Sequence, residues 1–255
     1  MKTKNLLIIP VIISAMLAAS FTGCGDSGTT QVTTPEGPKP NIEFRPGSRF
    51  IYHYSTISQG GQQHDTTWRT TDVVQNQTTY QNMSCYPIVS TTEDTVSHLP
   101  IATQTFYVTY DNATYKFYQY GVKKIFDPTQ TATWDLVADF SQPLGASISI
   151  FTLTNLLGNP NLSADVSSRV MKDTVINTFN PPGTGVNCYK VAIIGDVKLA
   201  TVSIGNVYLD YYIGYTPPSA PSNPSGRISI KLYPVNISGY PAADGLNQKL
   251  KRFTY

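Results

Sequence analysis

Few of the residue types that perform chemistry are present, and those few are poorly spaced for it. The only histidines are His53, His64 and His98, and no H-x3-H, HExxH or CxxC spacing exists, so no metal site is expected. Gly145-Ala146-Ser147-Ile148-Ser149 puts a serine after Gly-x but lacks the second glycine of a nucleophile elbow. A glycosidase needs two carboxylates facing across a groove. Glutamate occurs only at Glu36, Glu43 and Glu93; Asp94, Asp111, Asp127 and Asp135 could serve, although aspartate is also an ordinary turn residue. No phosphate-cradling glycine loop is found, so no cofactor and no catalytic residue are expected. The chain reads as non-enzymatic, with a hydrolase of envelope or extracellular polysaccharide as the enzymatic alternative.

Aromatic residues are the informative surplus. Tyr107, Tyr110, Tyr115, Tyr118 and Tyr120 cluster in one segment, and Tyr208, Tyr211 and Tyr212 in another. Tyrosine offers rigid contact area with a hydrogen-bonding tip, so these eight form a candidate binding surface for a glycan or an envelope protein. Equally, tyrosine fills the half-buried positions of a pleated sheet. A carrier of an apolar ligand would instead need a concave sheet face lined with Leu, Ile, Val and Phe.

The elements that would position these residues are strands. Charged residues are 13% of the chain, about half the usual share, and Thr, Ser, Asn, Gln and Tyr stand in their place. Phe50, Tyr52 and Tyr54 alternate along one expected strand. Thr105 to Tyr110, the turn Asp111-Asn112 and the return from Thr114 to Tyr120 read as a hairpin. Further strands are expected over 147–154, 166–179, 187–194, 197–212, 227–235 and 249–255. Only Leu136–Ser141 and Asn155–Gly158 invite short helical turns. The class is all-β or nearly so: a single domain over 49–255, built on a large curved antiparallel sheet. The Pro-rich run from Tyr215 to Gly226 reads as an exposed loop.

An internal echo is present. Cys85-Tyr86-Pro87-Ile88 and Cys188-Tyr189-Lys190-Val191 share a Cys-Tyr-x-(Ile/Val) core. Each follows an Asp-Thr step, Asp65-Thr66 or Asp173-Thr174, and each precedes a Tyr-rich segment. The pattern points to two related meander halves. Cys85 and Cys188 could pair in an oxidising compartment or stand as two buried thiols; spacing leaves both open.

The start of the chain is an address. Met1-Lys2-Thr3-Lys4 is basic, Leu6 to Ala19 is apolar, and a small-residue exit follows, which is the layout of a secretory signal peptide over 1–23. The apolar run is short for a membrane span, which needs about 20 residues. Phe21-Thr22-Gly23-Cys24 resembles the lipobox of bacterial lipoproteins, with Phe21 in the place usually held by Leu. The resemblance implies that Cys24 carries lipid and holds the protein to a membrane of the cell envelope. Gly25 rather than Asp follows it, which in Gram-negative enterobacteria implies the outer membrane. Residues 24–48, rich in Gly, Ser, Thr and Pro, read as a flexible tether. Cleavage before Cys24 removes Lys2 and Lys4 of 18 basic residues and none of 16 acidic ones, leaving 16 against 16. That balance provides no electrostatic footprint for nucleic acid.

The rhythm of the mature chain is also familiar. Pro46-Gly47-Ser48-Arg49-Phe50-Ile51-Tyr52, then Trp134-Asp135-Leu136 to Pro143-Leu144-Gly145, then Leu209-Asp210-Tyr211-Tyr212 resemble uncharacterised bacterial envelope lipoproteins built on a curved antiparallel sheet. Periplasmic lipoprotein carriers share that architecture. The resemblance implies a fold and transfers no functional residue.

Overall fold

The computed structural model describes residues 36–176, 185–219 and 221–255; the leader, Cys24 and the chain to residue 35 lie outside the described residues. The strands are β1 (Arg49–Ile57), β2 (Gln63–Val74), β3 (Thr78–Tyr80), β4 (Met83–Asp94), β5 (Pro100–Asp111), β6 (Lys116–Tyr120), β7 (Trp134–Asp139), β8 (Ser147–Leu153), β9 (Leu162–Ile176), β10 (Val186–Leu199), β11 (Val202–Gly214), β12 (Gly226–Leu232) and β13 (Gly245–Thr254), with an α-helical turn, α1 (Lys123–Phe126), and a 3-10 turn at Leu156–Gly158. All strand pairs are antiparallel. The expected all-β class and single curved sheet are what the chain forms.

Alternation decides which face goes inward. In β1, Phe50 and Tyr52 are buried between partly exposed neighbours. A register shift between His53 and Ser55 then re-aims the residues that follow, as a bulge does. The sheet order is β7-β6-β5-β4-β2-β1-β13-β12-β11-β10-β9-β8, with β3 attached to β4. Apart from the short β3, neighbours in the sheet are thus neighbours in sequence, except where β1 pairs with β13. The two edges, β7 and β8, lie against each other, so the sheet curls into a nearly closed barrel.

Setting β3 aside, the barrel is two consecutive six-stranded meanders, β1 to β7 and β8 to β13. The internal echo falls on matching strands: Cys85 is on the third long strand of the first half and Cys188 on the third of the second. Cys85-Tyr86-Pro87-Ile88 and Cys188-Tyr189-Lys190-Val191 also share one burial pattern: both ends are buried and the middle pair is partly exposed. The alternation therefore slips by one residue at the same place in each half.

Several expectations are corrected. The tether does not run to residue 48: Ile42 and Phe44 are core residues, 2% and 9% exposed. Gly37 and Lys39 donate backbone hydrogen bonds to Ser141 and Phe140, and Tyr110 donates its hydroxyl to the Pro40 carbonyl at 2.8 Å. Pro38 and Pro40 restrict the unfolded backbone, so docking this segment costs less entropy than docking an ordinary one. Residues 136–139 form the end of β7, not a helical turn, because Leu136 and Ala138 pair with Tyr118 and Phe117 of β6. The turn at 156–158 is a short 3-10 helix as expected. The β10–β11 turn falls after Leu199, later than expected, with Ala200 in the left-handed region.

The Pro-rich loop is exposed only in its middle, at Pro218, Ser219, Pro221 and Ser222. Asn223, Pro224 and Ser225 are buried. The Asn223 side-chain amide donates to the carbonyls of Asn187 (3.0 Å) and Tyr215 (2.5 Å), while its oxygen accepts the Asn187 N–H at 3.0 Å. One short polar side chain thereby satisfies backbone groups of two segments.

Candidate functional site

In an up-and-down barrel the strand ends sort into two rims. At one rim are the starts of β1, β6 and β12 and the ends of β5 and β7. Residues 36–48 close it. Phe44 packs on Tyr86 and Phe117, with ring centroids 5.2 and 6.1 Å away. Its ring sits over Gly226, which has φ +102° and where a Cβ would come within 2.9 Å of the Phe44 ring.

The opposite rim stays open. There the end of β6 leads into α1, and the end of β12 and the start of β13 come together around a cavity of about 540 Å³. Its apolar wall is Phe106, Leu209, Ile230, Leu232 and Leu246; its polar lining includes Tyr54, Ser90, Gln119, Arg227 and Gln248, with Lys124 of α1 also bordering it. A second cavity of about 230 Å³ adjoins it and shares Ile125 and Leu232. That one is apolar almost throughout, lined by residues such as Phe126, Leu162, Ala164, Val197, Val207 and Ile237.

The polar part is a buried cluster. Arg227 and Asp72 form an ion pair at 2.7 Å, their side chains 7% and 2% exposed. The Arg227 guanidinium lies 4.1 Å from the centre of the Phe106 ring. Tyr52 donates its hydroxyl to the Arg227 carbonyl at 3.0 Å, and Gln248 donates to the Tyr54 hydroxyl at 3.2 Å. Burial opposes the charge on Arg227, but the Asp72 carboxylate, together with the Tyr52 and Tyr211 hydroxyls, raises the guanidinium above its ordinary range and keeps it protonated. Burial pushes the Tyr211 phenol up to about 12, against the pull of Arg227, and lifts Tyr52 well above the ordinary range. Four atoms of this cluster are buried without a hydrogen-bond partner: Asp72 Oδ1, Arg227 Nε, Gln119 Oε1 and the Tyr211 hydroxyl. Leaving such groups unpaired costs about 1–3 kcal/mol each.

The eight tyrosines proposed as one surface are not one. Tyr107 and Tyr120 border the cavity together with Tyr80. Tyr80 and Tyr107 stack at 3.8 Å and 3°, and Tyr120 meets Trp134 edge-on at 5.6 Å. Tyr211 is fully buried in the barrel, and Tyr110 is buried at the closed rim. Tyr115 is at that rim as well, below the Lys39 ammonium at 5.8 Å. Tyr118 and Tyr212 are half-buried, and Tyr208 is exposed beside Tyr233. Strand alternation splits any Tyr-rich run between two faces, and barrel curvature separates the faces entirely.

Cys85 and Cys188 are buried and stand as thiols rather than a disulfide; their strands, β4 and β10, are not neighbours in the sheet. Burial raises the Cys85 thiol above its usual range. His64 and His98 are exposed and His53 is half-buried, and among the described residues no group of three His, Cys, Asp or Glu could hold a metal ion. The candidate carboxylates serve structure. Asp94 accepts from the N–H groups of Val96 and Ser97 and from the Thr67 hydroxyl, which hold it near pKa 2. Asp111 caps its turn through the Ala113 N–H at 2.9 Å. Burial disfavours the charge on Asp127, yet donors from Thr129, Leu157 and Gln130 bring it to about 2. Asp135 accepts from Thr133 at 2.7 Å and pairs with Lys123 at 3.3 Å. No Asp, Glu, His or Cys lines either cavity.

No family model and no curated protein matches the chain. Two solved structures are similar in fold. One, described as an exported protein with a YmcC-like fold from Bacteroides fragilis, is 13% identical, covering 84% of this chain and 99% of its own, with a TM-score of 0.45. The other, described as a lipoprotein from Parabacteroides distasonis, is 12% identical, covering 82% and 97%, with a TM-score of 0.44.

The cavity-lining residues Gln119, Arg227, Leu232, Leu246 and Gln248 escaped sequence reasoning. They come from three strands, β6, β12 and β13, far apart in sequence, and carry no motif beyond ordinary strand alternation. The one local hint is Arg227 at the head of the short alternating run Arg227-Ile228-Ser229-Ile230, a charge where the strand begins to be buried.

Proposed function

We propose that this is an exported lipoprotein of the cell envelope, anchored through lipid on Cys24, whose barrel holds a small amphiphilic ligand without transforming it. The anchor rests on the leader over 1–23 and on the lipobox-like Phe21-Thr22-Gly23-Cys24, with Gly25 favouring the outer membrane where the host is Gram-negative. The binding role rests on one observation: a cavity of about 540 Å³ joins an apolar wall to a few convergent polar residues, Tyr54, Ser90, Gln119, Arg227 and Gln248. Ligand pockets have this size and make-up, mostly apolar with a few convergent polar groups. It is the concave, apolar-lined sheet face that a carrier requires. With no carboxylate or histidine at either cavity, the lining favours holding over hydrolysis. Gly37 and Lys39 are bound at the closed rim, so the cavity opens at the end opposite residues 36–48.

The test is recovery of the membrane-extracted protein and mass spectrometry of what it carries, beside Leu246→Trp, which fills the cavity. A small amphiphile bound to the wild type and lost from a folded Leu246→Trp protein is the expected result. An empty wild-type cavity, or equal loading of both, overturns the binding role. Cys24→Ala tests the anchor separately: this variant leaves the membrane fraction and lacks acyl mass, and if wild type and variant fractionate alike, the anchor is refuted.

A further inference from the structure

We propose that the edge of β5 between Pro100 and Tyr107 receives an extended, largely uncharged peptide, which adds a strand to the sheet and drops alternate apolar side chains into the first cavity. This goes beyond the amphiphile reading and does not depend on it.

The edge is open because β6 is shorter than its neighbour. β4 pairs with β5 from Pro100 to Val108, whereas β6 pairs with it only from Val108 to Asp111. Gly121, with φ +79°, then turns the chain away from β5 and donates its N–H to the Thr133 carbonyl at 2.8 Å. No described segment pairs with the outer side of Pro100–Tyr107. Pro100 to Thr105 are exposed in succession, on both faces of the strand. Unpaired backbone groups along such an edge are a template for another strand. Charged side chains, which commonly guard an edge, are absent from Leu99 to Tyr110. Ile101, Thr103, Thr105 and Phe106 favour the extended backbone that strand addition requires.

The cavity decides which peptide fits. Alternation lets only every second residue of a strand face a cavity, yet Gln104, Thr105, Phe106 and Tyr107 all border the first one. The edge itself therefore forms its wall, with Tyr120, Gly121, Lys124 and Ala132 across the gap. A strand laid on that edge turns alternate side chains inward beside Gln104 and Phe106, toward Leu209, Ile230, Leu232 and Leu246. Backbone hydrogen bonds supply the affinity, and the cavity selects apolar residues at those positions. Charge narrows the choice further. The charged residues of the lining are Lys124 and Arg227, and Arg227 is balanced by Asp72. A basic residue is therefore repelled, and an acidic one attracted, where the peptide passes α1.

The experiment is fluorescence anisotropy on the full chain carrying Cys24→Ala. The probe is a labelled peptide of about eight residues, alternating valine and threonine and ending in aspartate. One control has the same residues in block order, and the other is N-methylated along its backbone. The alternating peptide binds at least about tenfold more tightly than either control, and it slows hydrogen exchange at the amides of 101–107. Leu246→Trp, which fills the cavity, weakens it. Neighbouring N–H groups of a strand point to opposite sides, so one of Thr103→Pro and Gln104→Pro spares the ladder to β4. The variant that melts like wild type abolishes peptide binding and leaves amphiphile loading unchanged, which separates this inference from the carrier reading. Should both variants melt early, the exchange measurement on the unmutated strand decides. Equal binding of the three peptides, or unchanged exchange at 101–107, overturns the inference. So does a dimer that the proline variant dissolves, because the edge then belongs to a second copy of the chain.

Discussion

The Asp72–Arg227 pair tests the barrel interior most directly. Both side chains are nearly sealed from water, at 2% and 7% exposure, and they meet at 2.7 Å. Asp72→Ala leaves the Arg227 guanidinium buried without its counter-charge, and breaking a buried pair from one side costs roughly 3–5 kcal/mol. At about 2–4 °C per kcal/mol for a domain of this size, the melting temperature falls by roughly 6–20 °C. Replacing both partners with apolar residues, Asp72→Leu with Arg227→Met, removes the uncompensated charge and costs far less, because isosteric apolar replacement of a buried pair is often neutral or stabilising. Urea denaturation of wild type, Asp72→Leu, Arg227→Met and the double variant completes the cycle. A single variant within about 1 kcal/mol of wild type, or a double variant no better than the worse single, would refute the reasoning that the pair is buried and mutually compensating.

Other outcomes follow from the same geometry. Phe44→Ala removes the ring packed on Tyr86 and Phe117; by the usual cost of a core Phe, about 3–5 kcal/mol at most, residues 36–48 undock and a Glu-specific endopeptidase cuts after Glu36 and Glu43 before the barrel melts. Unchanged cleavage would show the segment is not held by that ring. Asp94 and Asp127 titrate near 2 in the folded protein, below the ordinary 3.8. A depressed carboxylate stabilises the fold above its unfolded pKa, and that contribution is lost as pH falls from about 4 toward 2. Asp127→Asn therefore shows a shallower loss of urea midpoint over that window, and identical slopes would count against the assignment. Cys85 and Cys188 are both 0% exposed, so a maleimide labels them only after denaturation; labelling of the native protein would contradict their burial.

Much of the scaffold was legible from local pattern. Alternation at Phe50 and Tyr52, the Asp111-Asn112 turn and the paucity of helical periodicity are short-range signals, and each maps onto a strand or hairpin. The echo at Cys85 and Cys188 was legible too, since each half repeats a meander whose contacts are largely between consecutive strands. Helix α1 was missed because four residues are too few to show a period. The reach of the tether was misread because its composition is that of a linker, while the reason it docks, a groove beside Tyr86, Phe117 and Gly226, is assembled from distant strands.

The candidate site belongs wholly to the second category. By itself the sequence determined strand chemistry, the export-like leader and the absence of catalytic spacing, because these are properties of neighbouring residues. Only the tertiary structure decided that Gln119, Arg227, Leu232 and Leu246 surround one space, that Tyr211 belongs to the core and Tyr107 to the cavity edge. The physical reason is closure: pairing β1 with β13 joins the two halves into one sheet, and bringing its edges β7 and β8 together turns one face of every strand into an interior, and no window of sequence contains that event.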